Sequence, residues 1–221
     1  ERSARQAGRA ADSALLFSPD HATYYPGAKN MTLKVIFDRA DGKILGAQAI
    51  GFGGTEKRID VLAAAIRAGF TAEDLTELDL CYAPPYSSAK DPVNMAGYVI
   101  GNLLGGLVRQ HTWKDVEKIA TDEGAVLLDV QTRGEYEAAH LNGAVNIPVD
   151  ELRGRMNELD KSKTIYVNCY SGLRSYIACR MLTANGFQCS NLAGGIRFYK
   201  VVAEGGGYDE VSRHLCGIKN E

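Results

Sequence analysis

Residues 167–175, VNCYSGLRS, set a cysteine at the end of an apolar run and an arginine at the far end of a Cys-x4-Arg segment. Cys169 is a candidate nucleophile. Arg174 adds a permanent charge and a planar fork that suits an oxyanion such as thiosulfate. Between them, Tyr170, Ser171, Gly172 and Leu173 form a loop, followed by Ser175. Gly172 lets the backbone turn tightly, and Ser171 can donate to a bound anion. If the apolar run is a parallel strand feeding a helix, Cys169 lies at the carboxyl edge of a sheet, where open α/β sheets bind ligands. Amides at a helix N-terminus lack intrahelical partners and cradle anions. Such a cradle favours the reactive thiolate. The competing reading is a buried strand cysteine, because free cysteines often pack in cores.

The other cysteines suggest no such chemistry. Cys179 falls mid-helix and Cys189 on a strand, both as core residues, and Cys216 lies in a polar tail. With Cys81 the count is odd and no CxxC pair occurs, so a disulfide framework is not expected and a reducing cytoplasm is the default. No His/Cys cluster has metal-ligand spacing, so no metal site is predicted.

The elements that would hold this loop follow from period and punctuation. Residues 125–130, 143–148, 164–169 and 187–192 read as short strands, and segments near 132–139, 150–159, 172–185 and 195–203 as helices. That alternation implies a parallel sheet covered on both faces. Upstream, residues 31–51 read as a hairpin about Asp41-Gly42. Residues 55–69 carry Ile59, Leu62, Ala63 and Ile66 at helical spacing, with Gly69 as C-cap. Thr71 with Asp74, and Thr112 with Asp115, look like capping boxes, and Asp91-Pro92 like the start of a helix. A hairpin beside helices suggests an α+β unit. The basic opening segment, ERSARQAGRAADSALL, reads as helical and lacks a signal peptide's apolar core. It also lacks an initiator Met, so it is expected to be a cut inside a longer protein.

A net charge of −2 offers no footprint for nucleic acid, and no window approaches the 18 apolar residues that would span a bilayer.

Two family resemblances emerge from these motifs. Residues 112–203 resemble a rhodanese domain. LLDVQTRGEYEAAHLNGAVNIP carries its opening motif, with Asp129, Glu135, Tyr136, His140 and Gly143 in matching places; NCYSGLRS resembles the active-site loop and NLAGGIRFY the closing Gly-Gly segment. Gln131 and Tyr170 depart from the family pattern, which usually has Arg at the first position and often a basic or polar residue at the second. The resemblance implies sulfur transfer through a Cys169 persulfide stabilised by the loop amides, with Arg174 assisting and Asp129 and His140 as structural support. Dual-specificity phosphatases of related fold are the competing enzyme class, but they use Cys-x5-Arg, usually after a His, whereas Asn168 precedes Cys169 here.

Residues 22–105 resemble the dimerisation domain of flavin-dependent pyridine nucleotide-disulfide reductases, in the coenzyme A-disulfide and persulfide reductase branch, some of whose members end in a rhodanese domain. KVIFDRADGKILGAQAIG and the segment 58–97 carry this resemblance, and ARQAGRAA is similar to the end of the helix that closes the FAD domain. The order implied is 1–21 FAD-domain helix end and connector, 22–105 α+β dimerisation domain, 106–111 linker, 112–203 α/β rhodanese domain and 204–221 tail. It implies a homodimer in which Tyr24 and Tyr82 reach across to the partner's flavin-side cysteine. FAD, NAD(P)H and, as a further candidate, coenzyme A belong to the parent protein. None is expected on this chain, which lacks a G-x-G-x-x-G after a strand. The expected partners are a small-molecule sulfur donor and acceptor thiols, with no nucleic acid and no membrane. Two functions remain open: a working sulfurtransferase on a dimerisation scaffold, or a non-catalytic module that dimerises and receives persulfide for the reductase.

Overall fold

The computed structural model describes residues 1–204, so Cys216 and the expected tail from 205 onward lie outside the described residues. The chain divides into two compact units, the second beginning at Val108.

The first unit orders its elements as α1 (Arg2–Gln6), β1 (Ala11–Pro19), β2 (Asn30–Asp38), β3 (Ile44–Ile50), α2 (Thr55–Ala68), α3 (Ala72–Glu77) and α4 (Pro92–Leu104). The three strands form an antiparallel sheet in the order β1-β2-β3. Its turn between β2 and β3 uses Gly42 at φ 72°, a region that only glycine enters cheaply. Gly69 ends α2 at φ 79°, and the Thr71/Asp74 box opens α3 with both reciprocal bonds in place. Asp91 opens α4 with Pro92 behind it. Leu33, Val35 and Phe37 on β2 bury their alternate side chains against Leu62, Leu75, Val93 and Ile100 of the helices.

The opening segment departs from its helical expectation. Only Arg2–Gln6 is helix, and residues 11–19, placed in a connector by the sequence, form an edge strand. Ala14, Leu16 and Ser18 are its buried face, a period of two. Its nine residues pair with β2 in the register Ala14↔Val35.

A buried charge ties this unit together. Arg58 of α2 is 1% exposed and gives Nη2 to Asp91 Oδ2 at 2.8 Å and to the Asp20 carbonyl at 2.7 Å; its Nη1 donates to the Gly54 carbonyl at 3.0 Å. Ser87 adds its hydroxyl to Asp91 Oδ2 at 2.7 Å. A buried pair is tolerated only when its remaining donors and acceptors are satisfied in this way.

The second unit runs β4 (Gln110–His111), α5 (Val116–Ala120), β5 (Ala125–Asp129), α6 (Arg133–Ala138), β6 (Val145–Asn146), α7 (Leu152–Arg155), β7 (Thr164–Asn168), α8 (Leu173–Ala184), β8 (Gln188–Leu192) and α9 (Gly195–Glu204). Its five strands are parallel, in the order β4-β8-β7-β5-β6. The parallel sheet expected from alternation is present. The proposed linker 106–111 is in part strand, because Gln110 and His111 pair with Asn191 and Leu192 at the sheet's edge. The Thr112/Asp115 box opens a 3₁₀ turn that leads into α5.

Candidate active site at Cys169

β7 ends on Asn168, and α8 starts at Leu173, so Cys169 opens the crossing from strand to helix at the sheet's carboxyl edge. Its side chain is 1% exposed. Gly172, at φ 101°, turns its amide back onto Cys169 Sγ at 3.1 Å. The Ser175 hydroxyl, one turn into the helix and fully buried, stands 3.2 Å from the same sulfur and 3.2 Å from the Gly172 carbonyl. That carbonyl also receives the Tyr176 N–H at 3.1 Å and Asn191 Nδ2 at 3.3 Å. The Ser175 proton is therefore available to a thiolate. Donors aimed at one sulfur are a preorganised arrangement for negative charge there.

Glycines behind the loop make this approach possible. Ile196 donates its amide to the Cys169 carbonyl at 2.9 Å and Arg197 to the Tyr170 carbonyl at 3.0 Å. The sequence marked the Gly-Gly segment only by family resemblance. Its contact with the loop, and the Asn191 amide, became visible with the fold.

Arg174 takes an unexpected partner. Its Nη1 and Nη2 donate to Glu135 Oε2 and Oε1 at 2.7 and 2.8 Å. The pair raises the Arg174 pKa, with a further contribution from negative charge on Cys169. Glu135 is held down to about 2, first by Arg174 and then by hydrogen bonds from Thr132. The signal for Glu135 was present as T-x-x-E at 132–135, a capping box that the structure forms.

Asp129 is fully buried at the end of β5. It accepts the Gln131 amide at 2.9 Å, the Gln131 side chain at 3.1 Å and Asn168 Nδ2 at 2.7 Å. Burial pushes its pKa up against these bonds. Where the family usually places Arg, Gln131 supplies Asp129 with donors but no charge. His140 donates its Nδ1–H to the Tyr136 carbonyl at 2.7 Å and stacks on the Tyr136 ring at 4.0 Å, a contact within its own turn. Tyr170 and Leu173 are exposed, while Ser171 is half-buried. Cys179 and Cys189 are buried, as their core assignment requires, and the Cys179 thiol is raised by its hydrogen bond with Cys189 and by burial.

In the first unit, Tyr24 and Tyr82 meet. Their hydroxyls lie 2.6 Å apart on the surface, 58 positions apart in the chain. The bond raises the Tyr24 pKa. The Ala22 amide holds the two loops together through the Ser87 and Pro84 carbonyls at 3.0 and 3.3 Å.

Family models match both units: the pyridine nucleotide-disulphide oxidoreductase dimerisation domain over residues 1–92 and the rhodanese-like domain over residues 112–200. The chain is a reductase dimerisation domain followed by a rhodanese-like domain. It is similar to a solved Bacillus anthracis protein described as reduced CoADR-RHD, with a TM-score of 0.89 and 41% identity over 92% of this chain and 37% of that one. It is also similar to a NAD-dependent persulfide reductase from A. fulgidus, with a TM-score of 0.79 and 39% identity, covering 90% of this chain and 36% of that one. A coenzyme A disulfide reductase of Staphylococcus haemolyticus is 51% identical over 83 residues, 38% of this chain and 19% of that protein. The chain thus spans a little over a third of the solved relatives and under a fifth of the curated one.

The flavin and nicotinamide implied by the reductase family do not fit the described residues. The sheet of the dimerisation domain is wholly antiparallel and has no βαβ unit, and in the rhodanese-like domain the β7–α8 crossing is the Cys169 loop, with no G-x-G-x-x-G after any described strand. No group of three metal-ligating side chains occurs among the described residues, and none of their helices is long and apolar enough to cross a membrane.

Proposed function

We propose that the rhodanese-like domain is a sulfurtransferase that carries sulfane sulfur as a persulfide on Cys169. One observation carries the reading: the Gly172 amide and the Ser175 hydroxyl stand 3.1 and 3.2 Å from the Cys169 sulfur. The Cys169 thiolate attacks the outer sulfur of the donor. A new S–S bond forms on Cys169, the donor's own bond breaks, and its electron pair leaves with sulfite or with a thiolate. The terminal sulfur then bears the negative charge within reach of the loop amides. An acceptor thiolate attacks that sulfur and returns Cys169 as thiolate, so no net oxidation occurs. Asp129 and Gln131 hold the strand end beside Asn168, and His140 braces the following turn.

The relatives' names, together with the resemblance to the reductase family, extend the reading to the whole protein. In it this chain would serve a homodimeric reductase that uses FAD and NAD(P)H, on coenzyme A disulfide or persulfides, with Tyr24 and Tyr82 presented to the partner subunit. The second reading is a module that receives persulfide without turnover, using the same Gly172 and Ser175 donors for loading alone. A cyanide-trapping assay with thiosulfate or an alkyl persulfide separates the two. Sulfurtransfer in the native chain and its loss in Cys169→Ser support catalysis, whereas wild-type turnover in Cys169→Ser overturns the assignment. A single stoichiometric sulfur on Cys169 without turnover selects the receiving module.

A further inference from the structure

The Arg174 fork, which an anionic donor would need, is already taken. Nη1 and Nη2 close a two-point pair with the Glu135 carboxylate at 2.7 and 2.8 Å, the strongest geometry available to a guanidinium. Glu135 is itself held in place. Its Oε2 also accepts the Thr132 amide and the Thr132 hydroxyl, both at 2.9 Å, as the third residue of the capping box on α6. The carboxylate is thus gripped by the helix start on one side and by Arg174 on the other, and it stays ionised across the neutral range.

Charge around the sulfur follows from this. Arg174 is cancelled by Glu135, and Asp129 and the Cys169 thiolate both lie near enough to act on the Arg174 charge. A dianion such as thiosulfate would meet a site with no surplus positive side chain from this pair. At the loop itself Tyr170 and Leu173 are exposed, an apolar surface suited to a carbon chain. Arg197 sits 6.0 Å over the Tyr170 ring and places a cation beside it.

We propose that Glu135 is the specificity-determining residue of the Cys169 site: by occupying the Arg174 fork it disfavours doubly charged inorganic sulfur donors relative to organic donors of lower charge. The proposal rests on the sulfurtransferase reading for its donors, but the charge selection can be read without turnover.

Two measurements on the full chain test it. The first is the rate of Cys169 alkylation by iodoacetate relative to iodoacetamide, one anionic and one neutral, read at the Cys169 peptide because Cys81 is exposed and also reacts. Glu135→Gln keeps a good residue in the capping box and removes the charge. It should raise the iodoacetate-to-iodoacetamide ratio about fivefold, the size expected for one unit charge in a partly screened site. Glu135→Asp, which keeps the charge, should stay near the wild-type ratio. The second measurement is sulfur transfer itself. In Glu135→Gln, kcat/KM should rise about tenfold with thiosulfate, mainly through KM, and change less than about twofold with an alkyl persulfide. An unchanged alkylation ratio in Glu135→Gln overturns the proposal and points to Arg197 as the residue that reads charge. Equal change in Glu135→Asp and Glu135→Gln overturns it in favour of shape. If neither donor ever loads sulfur on Cys169, the sulfurtransferase reading falls, and the alkylation ratio still decides whether Glu135 governs charge.

Discussion

Gly195 lies against the peptide that follows Cys169: a Cβ on it would stand 2.5 Å from the Cys169 carbonyl oxygen and 2.7 Å from the Tyr170 carbonyl carbon. The closing Gly-Gly segment is therefore the back wall of the nucleophile's loop. Gly195→Ala must push that loop away, and at φ 61° the new side chain is strained as well. We expect sulfur transfer to fall more than about tenfold, the scale of a small misplacement of reacting groups. Far-ultraviolet circular dichroism should stay near wild type, and wild-type kcat/KM in the variant would disprove the back-wall role.

Ser175→Ala removes one of the two donors on Cys169 Sγ and leaves the Gly172 amide. A lost preorganised donor costs about a hundredfold in kcat; a neutral hydroxyl should cost about tenfold or somewhat more. Single-turnover loading of Cys169 by a sulfur donor reads this directly. An unaltered loading rate would leave Ser175 as packing only.

His111 gives the rhodanese-like domain an acid-sensitive edge. It is buried on β4, with Nδ1 3.1 Å from the Ser190 hydroxyl, and burial lowers its pKa to about 4 despite the nearby Asp115 charge. The unfolded chain binds this proton more readily, near pH 6.5. Stability from neutral His111 is thus complete above about 6.5 and is lost as pH falls towards 4, by roughly 3 kcal/mol. In His111→Gln the thermal midpoint should vary less with pH across that window. A slope identical to wild type would refute the assignment.

Arg58→Met leaves the Asp91 carboxylate buried with no cation. Breaking one side of such a pair costs about 3–5 kcal/mol. Urea unfolding should show that loss in the dimerisation domain, and the loss should be smaller when Asp91→Asn is added. Additive losses would mean that the two side chains act independently.

The dimerisation domain exposes Tyr24, Ile50, Phe52 and Tyr86. Large exposed apolar groups of this kind are candidates for an interaction surface. We expect sedimentation to give a homodimer, and Phe52→Lys with Tyr86→Lys to shift it towards monomer. A wild-type monomer at micromolar concentration would count against this surface.

The sequence by itself determined the features that arise within a dozen residues. Gly42, Gly69, the Thr71/Asp74 box and Asp91-Pro92 each meet a backbone requirement of their immediate neighbours, so type and spacing suffice to read them. The same holds for Cys169 followed by Gly172, because a strand that ends four residues before a helix leaves one place for the sulfur. Tertiary structure decided what depends on distant partners. β1 looked helical because its alanines have no strand preference of their own; pairing with β2 and burial of every second side chain made it strand. β4 is two residues long and exists only through β8, about 80 positions away. Arg174 could have faced solvent, a donor or a carboxylate, and the choice of Glu135, 39 residues earlier, was made when the start of α6 came beside the start of α8. Tyr24 and Tyr82 likewise hydrogen-bond only because Arg58 and Ala22 draw their two loops together. Local backbone sterics are written in neighbouring residue types, whereas charge pairing and ladder bonding depend on which surfaces the folded core brings into contact.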